Sequence, residues 1–209
     1  MLLAELKQLQ SQIEPHFLFN TLANINALIT LEPTTAQQLL TRLTTLLRRN
    51  LHSSRQPLGK LSDEVALLDD YLAIQQIRLG ERLHYHIELA PDCQTLPFVP
   101  MLLQPLVENA IVHGIEPSKR GGEVQINVQQ QAQQLQIRIE DSGVGIEHAS
   151  ASPRQSGHGI ALSNIRQRLS TLFGNEATLT LQPRLPHGTA AIINLPLSAL
   201  TALGANAHD

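Results

Sequence analysis

Residues 135–145 read LQIRIEDSGVG, and this stretch carries the clearest signals for both fold and site. Every second residue from Leu135 is apolar, which predicts a half-buried strand, and the next step places Asp141 on the same inward face. A carboxylate there needs polar partners, and Gly143 and Gly145 leave room for a backbone or a ligand to approach. An aspartate before a glycine is by itself often only a turn, so the rest of the chain must decide.

The same alternation recurs along the second half of the chain. It predicts further strands at about 83–89, 124–128, 177–181 and 191–195. Helical patterns interrupt them at about Val99 to His113 and Gly159 to Phe173, so we predict an α+β sandwich with helices on one face of a sheet. The last strand, traced backward, reaches Thr189 in phase with the interior, which suggests that Thr189 and Asp141 share a pocket.

The first half of the chain reads as helices. Leu18 begins an apolar stripe that is out of phase with the residues before it, and the phase slips at Pro15, directly before His16. A second helix follows Pro33, and a third is predicted from an N-cap at Ser62 to about residue 80. The first two would form a hairpin with an unpartnered apolar stripe, which predicts a homodimer through residues 1 to about 55.

Composition excludes several classes of protein. The 209 residues carry a formal net charge of −3 and one cysteine, which excludes a basic nucleic-acid footprint, an internal disulfide framework and a multi-cysteine zinc site. We find no predicted membrane span or signal peptide in this sequence, and its character is cytosolic. Neither a paired zinc-binding histidine motif nor a serine-hydrolase elbow is present.

Two further motifs carry candidate chemistry. Gly157-His158-Gly159 opens a helical pattern, and a glycine-rich loop at a helix N-terminus is suited to phosphates. The polar stretch before it, residues 147–156, is either a loose loop or a lid. Asn109 lies on a helix with His113 one turn later, and its amide oxygen could hold a magnesium ion.

These residues together resemble a family. PLVENAIVHG (105–114), DSGVG (141–145), GHGIALSNIRQRL (157–169) and GTAAIINLPL (188–197) are similar to the N, G1, G2 and final-strand motifs of the GHKL (Bergerat) ATP-binding fold. QSQIEPHFLFNTL (10–22) and YLAIQQIRLGERL (71–83) resemble the LytS/YehU type of sensor histidine kinase. The resemblance implies a helical dimerisation and phosphoacceptor region at 1–60 and a catalytic domain at 61–198, with a disordered tail at 199–209.

The resemblance also implies roles for single residues. His16 would be the phosphoacceptor, attacking as a neutral imidazole, and Asn20 is a hypothesis for a phosphatase role. Asp141 would read adenine with support from Thr189, and Asn109 would hold Mg²⁺. The implied ATP contacts are Asn109, His113, Asp141, Gly143, Gly145, Gly157, His158, Gly159, Asn164 and Thr189. Arg168, on the same helix as Asn164, is a weaker candidate, with a surface charge as the alternative.

The sequence departs from the family pattern at several positions. Phe17 follows His16 where many histidine kinases have an acidic residue, so the catalytic base stays open, with Glu14 nearby. Val112 stands where a phosphate-contacting lysine is common, and His113, Lys119 or Arg120 are the alternatives for that contact. Ala161 and Ser163 replace the expected glycine and glutamate of the second glycine motif.

The resemblance implies an ATP-dependent autokinase of a bacterial two-component system, which phosphorylates His16 and passes the phosphoryl group to a response regulator, expected to be of the LytTR type. It also implies a cytoplasmic domain of an inner-membrane sensor protein, with the membrane sensor N-terminal to this chain. Two alternatives stay open: a degenerate, non-catalytic nucleotide-binding dimeric signalling module, and a gyrase-like ATPase clamp, which the histidine motif disfavours.

Overall fold

A computed structural model describes residues 15–53, 56–145 and 156–206. The stripe predicted before Pro15 and most of the predicted lid lie outside these residues. Three helices come first in the described chain: α1 (Pro15–Leu31), α2 (Pro33–Ser53) and α3 (Leu61–Leu79). None of the helices in the described chain is long and apolar enough to cross a membrane.

The three helices pack side by side, α2 lying against both α1 and α3. Glu32 joins α1 to α2 with almost no loop, because its N–H donates to the carbonyl of Leu28 and its own carbonyl accepts from Ala36. Residues at three- and four-residue steps form the buried face of α2: Ala36, Leu39, Leu43, Leu46 and Asn50. The predicted helical hairpin is therefore confirmed, and α3 connects it to the rest of the molecule.

The second half forms a mixed sheet of five strands: β2 (Leu83–Leu89), β4 (Gly122–Gln131), β5 (Gln134–Asp141), β6 (Thr178–Pro183) and β7 (Thr189–Pro196). Their order in the sheet is β2-β4-β5-β7-β6. β2 runs parallel to β4, and the other neighbouring pairs are antiparallel. Two short strands, β1 (Gly59–Lys60) and β3 (Pro97–Phe98), pair separately. The strands predicted from alternation are thus confirmed.

Helices cover one face of this sheet. They are α4 (Gln104–Asn109), which continues into a π-helical turn at Ala110–Ile115, and α5 (Ser156–Phe173). The inward residues of β5 are buried at every second position, and Asp141 ends that row as predicted. One continuous apolar core runs from Phe17 in the hairpin through the sheet to Leu200, so the hairpin and the sheet share packing rather than standing apart.

Three local predictions were wrong. The helix predicted from Val99 begins only at Gln104, because Pro100 disfavours helix at the preceding residue and Met101 has a φ of 58°. α3 begins before Ser62: Lys60 is its N-cap, and the Lys60 N–H donates to the Asp63 carboxylate. The tail predicted from 199 is instead the helix α6 (Leu197–Asn206), held by the fully buried side chain of Leu200.

Candidate functional site

A cavity lies between the inward face of the sheet and the helices that cover it. Its polar lining consists of Asn109, His113, Asp141 and Thr189. Its apolar walls come from both layers and include Leu106, Ile139, Leu162, Leu181 and Ala191. An apolar cavity with a few polar groups at defined points is the usual form of a small-ligand site.

Asp141 is the most buried of the polar residues that line this cavity. Only 4% of the residue is exposed, and its Oδ1 accepts a hydrogen bond of 2.9 Å from the Gly143 N–H. Thr189 lies directly opposite on β7 and donates to the carboxylate from both its backbone and its hydroxyl. Burial raises the pKa of Asp141, while these hydrogen bonds act in the opposite direction. The carboxylate is therefore fixed in orientation beside the cavity.

Three glycines let the backbone pack closely around Asp141. A Cβ on Gly114 would lie 2.5 Å from Asp141 Oδ1, and one on Gly143 would collide with the carbonyl of Gly114. Gly188 has a φ of 115°, and a Cβ there would collide with the Asp141 carbonyl. The Val144 N–H also donates to Gly114 O at 3.1 Å. Only glycine fits at these positions, and the sequence analysis had given no role to Gly114.

Asn109 is the last residue of α4 and lines the cavity. Its buried Nδ2 has no hydrogen-bond partner among the residues that the structure describes. A half-turn of the amide exchanges its nitrogen and oxygen, so the unpartnered position can equally present the oxygen. An unpaired buried amide is costly unless something binds it. The residue therefore fits the predicted role of holding a hard cation.

His113 lies in the π-helical turn one turn beyond Asn109. Its ring is half-buried, and burial lowers its pKa, with Glu116 acting in the opposite direction. The imidazole is thus neutral over a wider pH range than a free histidine. Such wide turns are frequent at functional sites, because they shift the facing of a helix by one residue.

The second glycine motif lies at the start of α5. Gly157, His158 and Gly159 form the first turn of α5, whose free backbone N–H groups suit phosphate oxygens. Gly145, with a φ of 81°, lines the cavity where the chain leaves β5 towards this helix. Leu162 on α5 completes the wall.

Other predicted residues lie outside the cavity. Asn164 is exposed on α5, in a shallow groove that it shares with Val99 and Arg168. The guanidinium of Arg168 donates to the carbonyls of Pro100 and Met101, each at 3.0 Å. Arg168, predicted as a weaker ATP contact with a surface charge as the alternative, therefore binds the protein's own backbone.

Two of the three positions proposed to replace the missing lysine are exposed in a loop away from the lining. Val112 is half-buried in the π-helical turn, and both Lys119 and Arg120 are exposed in the loop before β4. Of the three alternatives, only His113 lines the cavity in the described chain.

The predicted phosphoacceptor belongs to the helical hairpin. His16 lies in the first turn of α1, directly after Pro15, and Asn20 follows one turn later on the same helix. Phe17 is buried against Tyr71 of α3, with ring centroids 5.1 Å apart. Within the described chain, no lining residue of the cavity comes from α1. The acceptor and the cavity are therefore carried by separate elements.

Two family models match the chain. A histidine kinase model matches residues 4–83, and a model for histidine kinase-, DNA gyrase B- and HSP90-like ATPases matches residues 98–199. The first spans the helices α1 to α3, and the second spans four of the five strands of the sheet and all the residues that line the cavity.

Curated relatives match over most of this chain. Sensor histidine kinase YpdA of Escherichia coli is 38% identical over 200 residues, 92% of this chain and 34% of YpdA. Sensor histidine kinase/phosphatase LytS of Staphylococcus aureus is 34% identical over 187 residues, 86% of this chain and 32% of LytS. The chain thus spans about a third of the length of these relatives.

A solved structure shares the whole fold. The histidine kinase domain of the Erythrobacter litoralis EL346 blue-light activated histidine kinase superposes with a TM-score of 0.53 at 21% identity, covering 96% of this chain and 94% of that one. The fold, the two family models and the similarity to YpdA and LytS lead to one conclusion: the chain belongs to the histidine kinases, among the LytS-like members.

Proposed function

We propose that this chain is the catalytic core of a sensor histidine kinase: it binds Mg-ATP in the cavity, phosphorylates His16 and donates the phosphoryl group to an aspartate of a response regulator. The buried Asp141 carboxylate is the observation that carries the proposal. A buried carboxylate in the lining of an apolar cavity suits a flat base with an exocyclic amine, which can donate to it.

At the base end, the residues are arranged before any ligand arrives. Asp141 would accept from the adenine amine, and Thr189 and the Gly143 N–H keep the carboxylate in place. Gly145 leaves space beside the ring, and the apolar walls exclude water from its faces.

At the phosphate end, Asn109, His113 and the first turn of α5 would receive the triphosphate. In the described residues, no cluster of three or more histidine, cysteine, aspartate or glutamate side chains could hold a metal. A magnesium ion, which neutralises phosphate charge when bound, would thus be held by Asn109 together with phosphate and water oxygens. The unpartnered amide of Asn109 supports this assignment.

The reaction needs few protein groups beyond these. A ring nitrogen of His16 forms a bond to the γ-phosphorus as the bond from that phosphorus to the bridging oxygen breaks. ADP leaves, and the imidazole loses one proton to a base. The identity of this base is not assigned, and Glu14 is nearby in the sequence. The phosphohistidine then transfers its phosphoryl group to the regulator's carboxylate.

The hairpin supports a homodimer. α1 and α2 expose large apolar side chains, and Phe19 and Leu31 are 70% and 80% exposed. We further propose a LytTR-type response regulator as partner, and a longer membrane sensor of which this chain is the cytoplasmic part. Asn20 would orient water for dephosphorylation of the regulator. If Asn20→Ala leaves that dephosphorylation unchanged, this role is excluded.

The first experiment is labelling with γ-labelled Mg-ATP. Wild type should acquire protein-bound label that survives base and is lost in acid, as a phosphoramidate is, and His16→Gln should acquire none. His84→Gln is the matched control, because His84 is an exposed histidine on β2, and its labelling should equal that of wild type.

Three other results would contradict the proposal. Nucleotide binding without label would favour the non-catalytic signalling module. Val112 and Ala161, which depart from the family pattern, are the residues that suggest this alternative. Sustained ATP turnover without phosphoprotein would favour an ATPase clamp. Equal labelling of wild type and His16→Gln would place the acceptor elsewhere.

A further inference from the structure

The segment Pro100–Leu103, which leads into α4, is held by two charged side chains from two different helices. Glu64 of α3 is buried, with 4% of the residue exposed. Its Oε2 accepts from the Met101 N–H at 2.7 Å, and its Oε1 accepts from the Leu103 N–H at 2.9 Å. The Leu102 N–H also donates to it. One carboxylate therefore satisfies three consecutive amides.

Arg168 of α5 holds the same segment by its carbonyls. Its two terminal nitrogens donate to Pro100 O and Met101 O, each at 3.0 Å. Met101 itself has a φ of 58°, a conformation that a residue with a side chain rarely adopts without support. The two side chains thus fix a strained segment. Glu64 binds the N–H groups of the segment, and Arg168 binds its C=O groups.

α4 depends on this support. The helix has six residues, Pro105 lies in its first turn, and its N-cap Leu103 has no side chain that can cap. Glu64 supplies the missing acceptor from outside the helix, because its Oε1 accepts from the N–H of Leu103. Asn109 is the last residue of the same short helix, so a shift at Leu103 moves Asn109 relative to the cavity.

We propose that Glu64 and Arg168 are positioning residues, which clamp the Pro100–Leu103 segment so that Asn109 faces the metal and phosphate end of the nucleotide site. This inference rests on the proposed function for the identity of the ligand. It gives a structural role to Glu64 and Arg168, which both lie outside the cavity lining. Through them, α3 and α5 fix the position of α4.

The clamp predicts a split between two kinds of nucleotide binding. Binding of ATP in EDTA reports mainly the Asp141 end, whereas the gain in affinity on adding Mg²⁺ reports Asn109. In Arg168→Ala, we expect the Mg²⁺ concentration for half-maximal gain to rise about tenfold, with affinity in EDTA changed less than about twofold. Glu64→Gln, which keeps the size but only one oxygen acceptor, should shift in the same direction.

Matched variants separate this from a general loss of structure. Arg166→Ala removes an exposed arginine from the same helix, and Glu81→Gln neutralises an exposed glutamate just beyond α3; both should behave as wild type. Arg168→Lys keeps the charge but cannot hold two carbonyls with one planar group, so its shift should be intermediate. The proposal would be overturned if ATP affinity fell equally in EDTA and in Mg²⁺, or if the Mg²⁺ concentration for half-maximal gain did not change in Arg168→Ala.

A second measurement needs no nucleotide. Hydrogen exchange of the peptide 104–115 in the free protein should be at least about fivefold faster in Arg168→Ala than in Arg166→Ala. Unchanged protection would overturn the clamp, even if ATP binds. If wild type binds no nucleotide but the exchange differs as expected, the clamp stands and the proposed function fails.

Discussion

The nucleotide cavity and the helical hairpin differ in how their surfaces are completed. At the cavity, Asp141 finds its partners within the chain, in Gly143 and Thr189, and the surrounding apolar side chains are buried. The hairpin instead leaves five large apolar side chains exposed: Phe19, Leu22, Ile29, Leu31 and Leu40. The first region is built by one chain, whereas the second has a surface that another molecule would complete.

The comparison also explains why the two regions tolerate change differently. Around Asp141, an added Cβ on Gly143 or Gly188 would meet backbone atoms, and one on Gly114 would meet the carboxylate of Asp141 itself. On the exposed face of α1, a substitution meets solvent. Substitutions at the cavity should therefore affect folding and ligand together, and substitutions on the hairpin should affect assembly alone.

Gly143→Ala should have the largest effect. The added Cβ would overlap the carbonyl of Gly114, so the turn after β5 must shift, at a cost of about 3 kcal/mol or more. We expect a clear fall in melting temperature and no measurable ATP binding. Gly59→Ala is the control, since its Cβ would meet only ordinary contacts at 3.9 Å. A Gly143→Ala protein with normal melting and normal ATP binding would refute the packing described for this site.

Asp141→Asn should come next. The variant keeps the shape but loses the charge and one acceptor, so we expect ATP affinity to fall about 10- to 100-fold, which corresponds to about 1.4–2.7 kcal/mol. Calorimetric titration measures it. Glu123→Gln, on the neighbouring strand and outside the lining, should bind as wild type. Equal affinity in Asp141→Asn and wild type would exclude Asp141 as the reader of the base.

The same pair of proteins gives a pH test. Because burial raises the pKa of Asp141, its ionisation costs folding free energy, so stability is highest below the unfolded pKa near 3.8 and falls as pH rises through the folded value. Asparagine has no such titration. The stability of Asp141→Asn relative to wild type should therefore increase from pH 4 upward in thermal melts. A constant difference across that range would show that burial does not strain this carboxylate.

Much of this site could be predicted because its signals are local in the sequence. The alternation in β5 placed Asp141 inward, and the alternation in β7 placed Thr189 inward; the register then brings the two opposite each other. The glycine motifs were visible for the same reason. Gly114 was missed because its close contacts are with Asp141 and Gly143, which lie far along the chain.

The parts that could not be predicted depend on distant contacts. Glu64 looked like a first-turn helix acid, and only the fold brings it to Met101 and Leu103. Arg168 looked like either a weak ATP contact or a surface charge, and only the fold brings it to the carbonyls of Pro100 and Met101. The helix after Leu197 is short and weakly patterned, and it forms because Leu200 finds a place in the core. Packing of this kind leaves no periodic trace in a single sequence.

The hairpin surface gives the next test. Phe19 and Ile29 lie on one face of α1, and each buried aromatic or aliphatic side chain stabilises an interface by about 1.5–3 kcal/mol. Phe19→Asn with Ile29→Asn should weaken self-association at least about 100-fold in sedimentation, with ATP binding unchanged. Leu185→Asn removes an equally exposed leucine from the sheet half and should leave the assembly unchanged. A double variant that sediments like wild type would exclude this face as the interface.

Asn50→Leu should have the smallest effect, and it tests where the two regions meet. Asn50 is fully buried on α2, and neither of its amide atoms has a hydrogen-bond partner within the described part of the chain. Leucine has the same branched arrangement of four side-chain heavy atoms and no polar group to leave unpaired, so we expect a gain of about 1 kcal/mol and a melting temperature higher by about 2–4 °C. Asn50→Asp, which buries a charge in the same volume, should lower it.

The sign of the Asn50→Leu result decides how the hairpin is joined to the rest. A higher melting temperature means that an unpaired amide weakens the packing of α2, so the hairpin is held less firmly than the sheet core. A lower one means that the gain from leucine is outweighed either by the loss of a hydrogen bond from the amide to an ordered water or to a segment beyond the described residues, or by crowding of the larger leucine methyl groups. If a hydrogen bond is what is lost, the buried polar groups are satisfied both in the hairpin and in the sheet. The difference between the two regions would then lie in the exposed face of α1 alone.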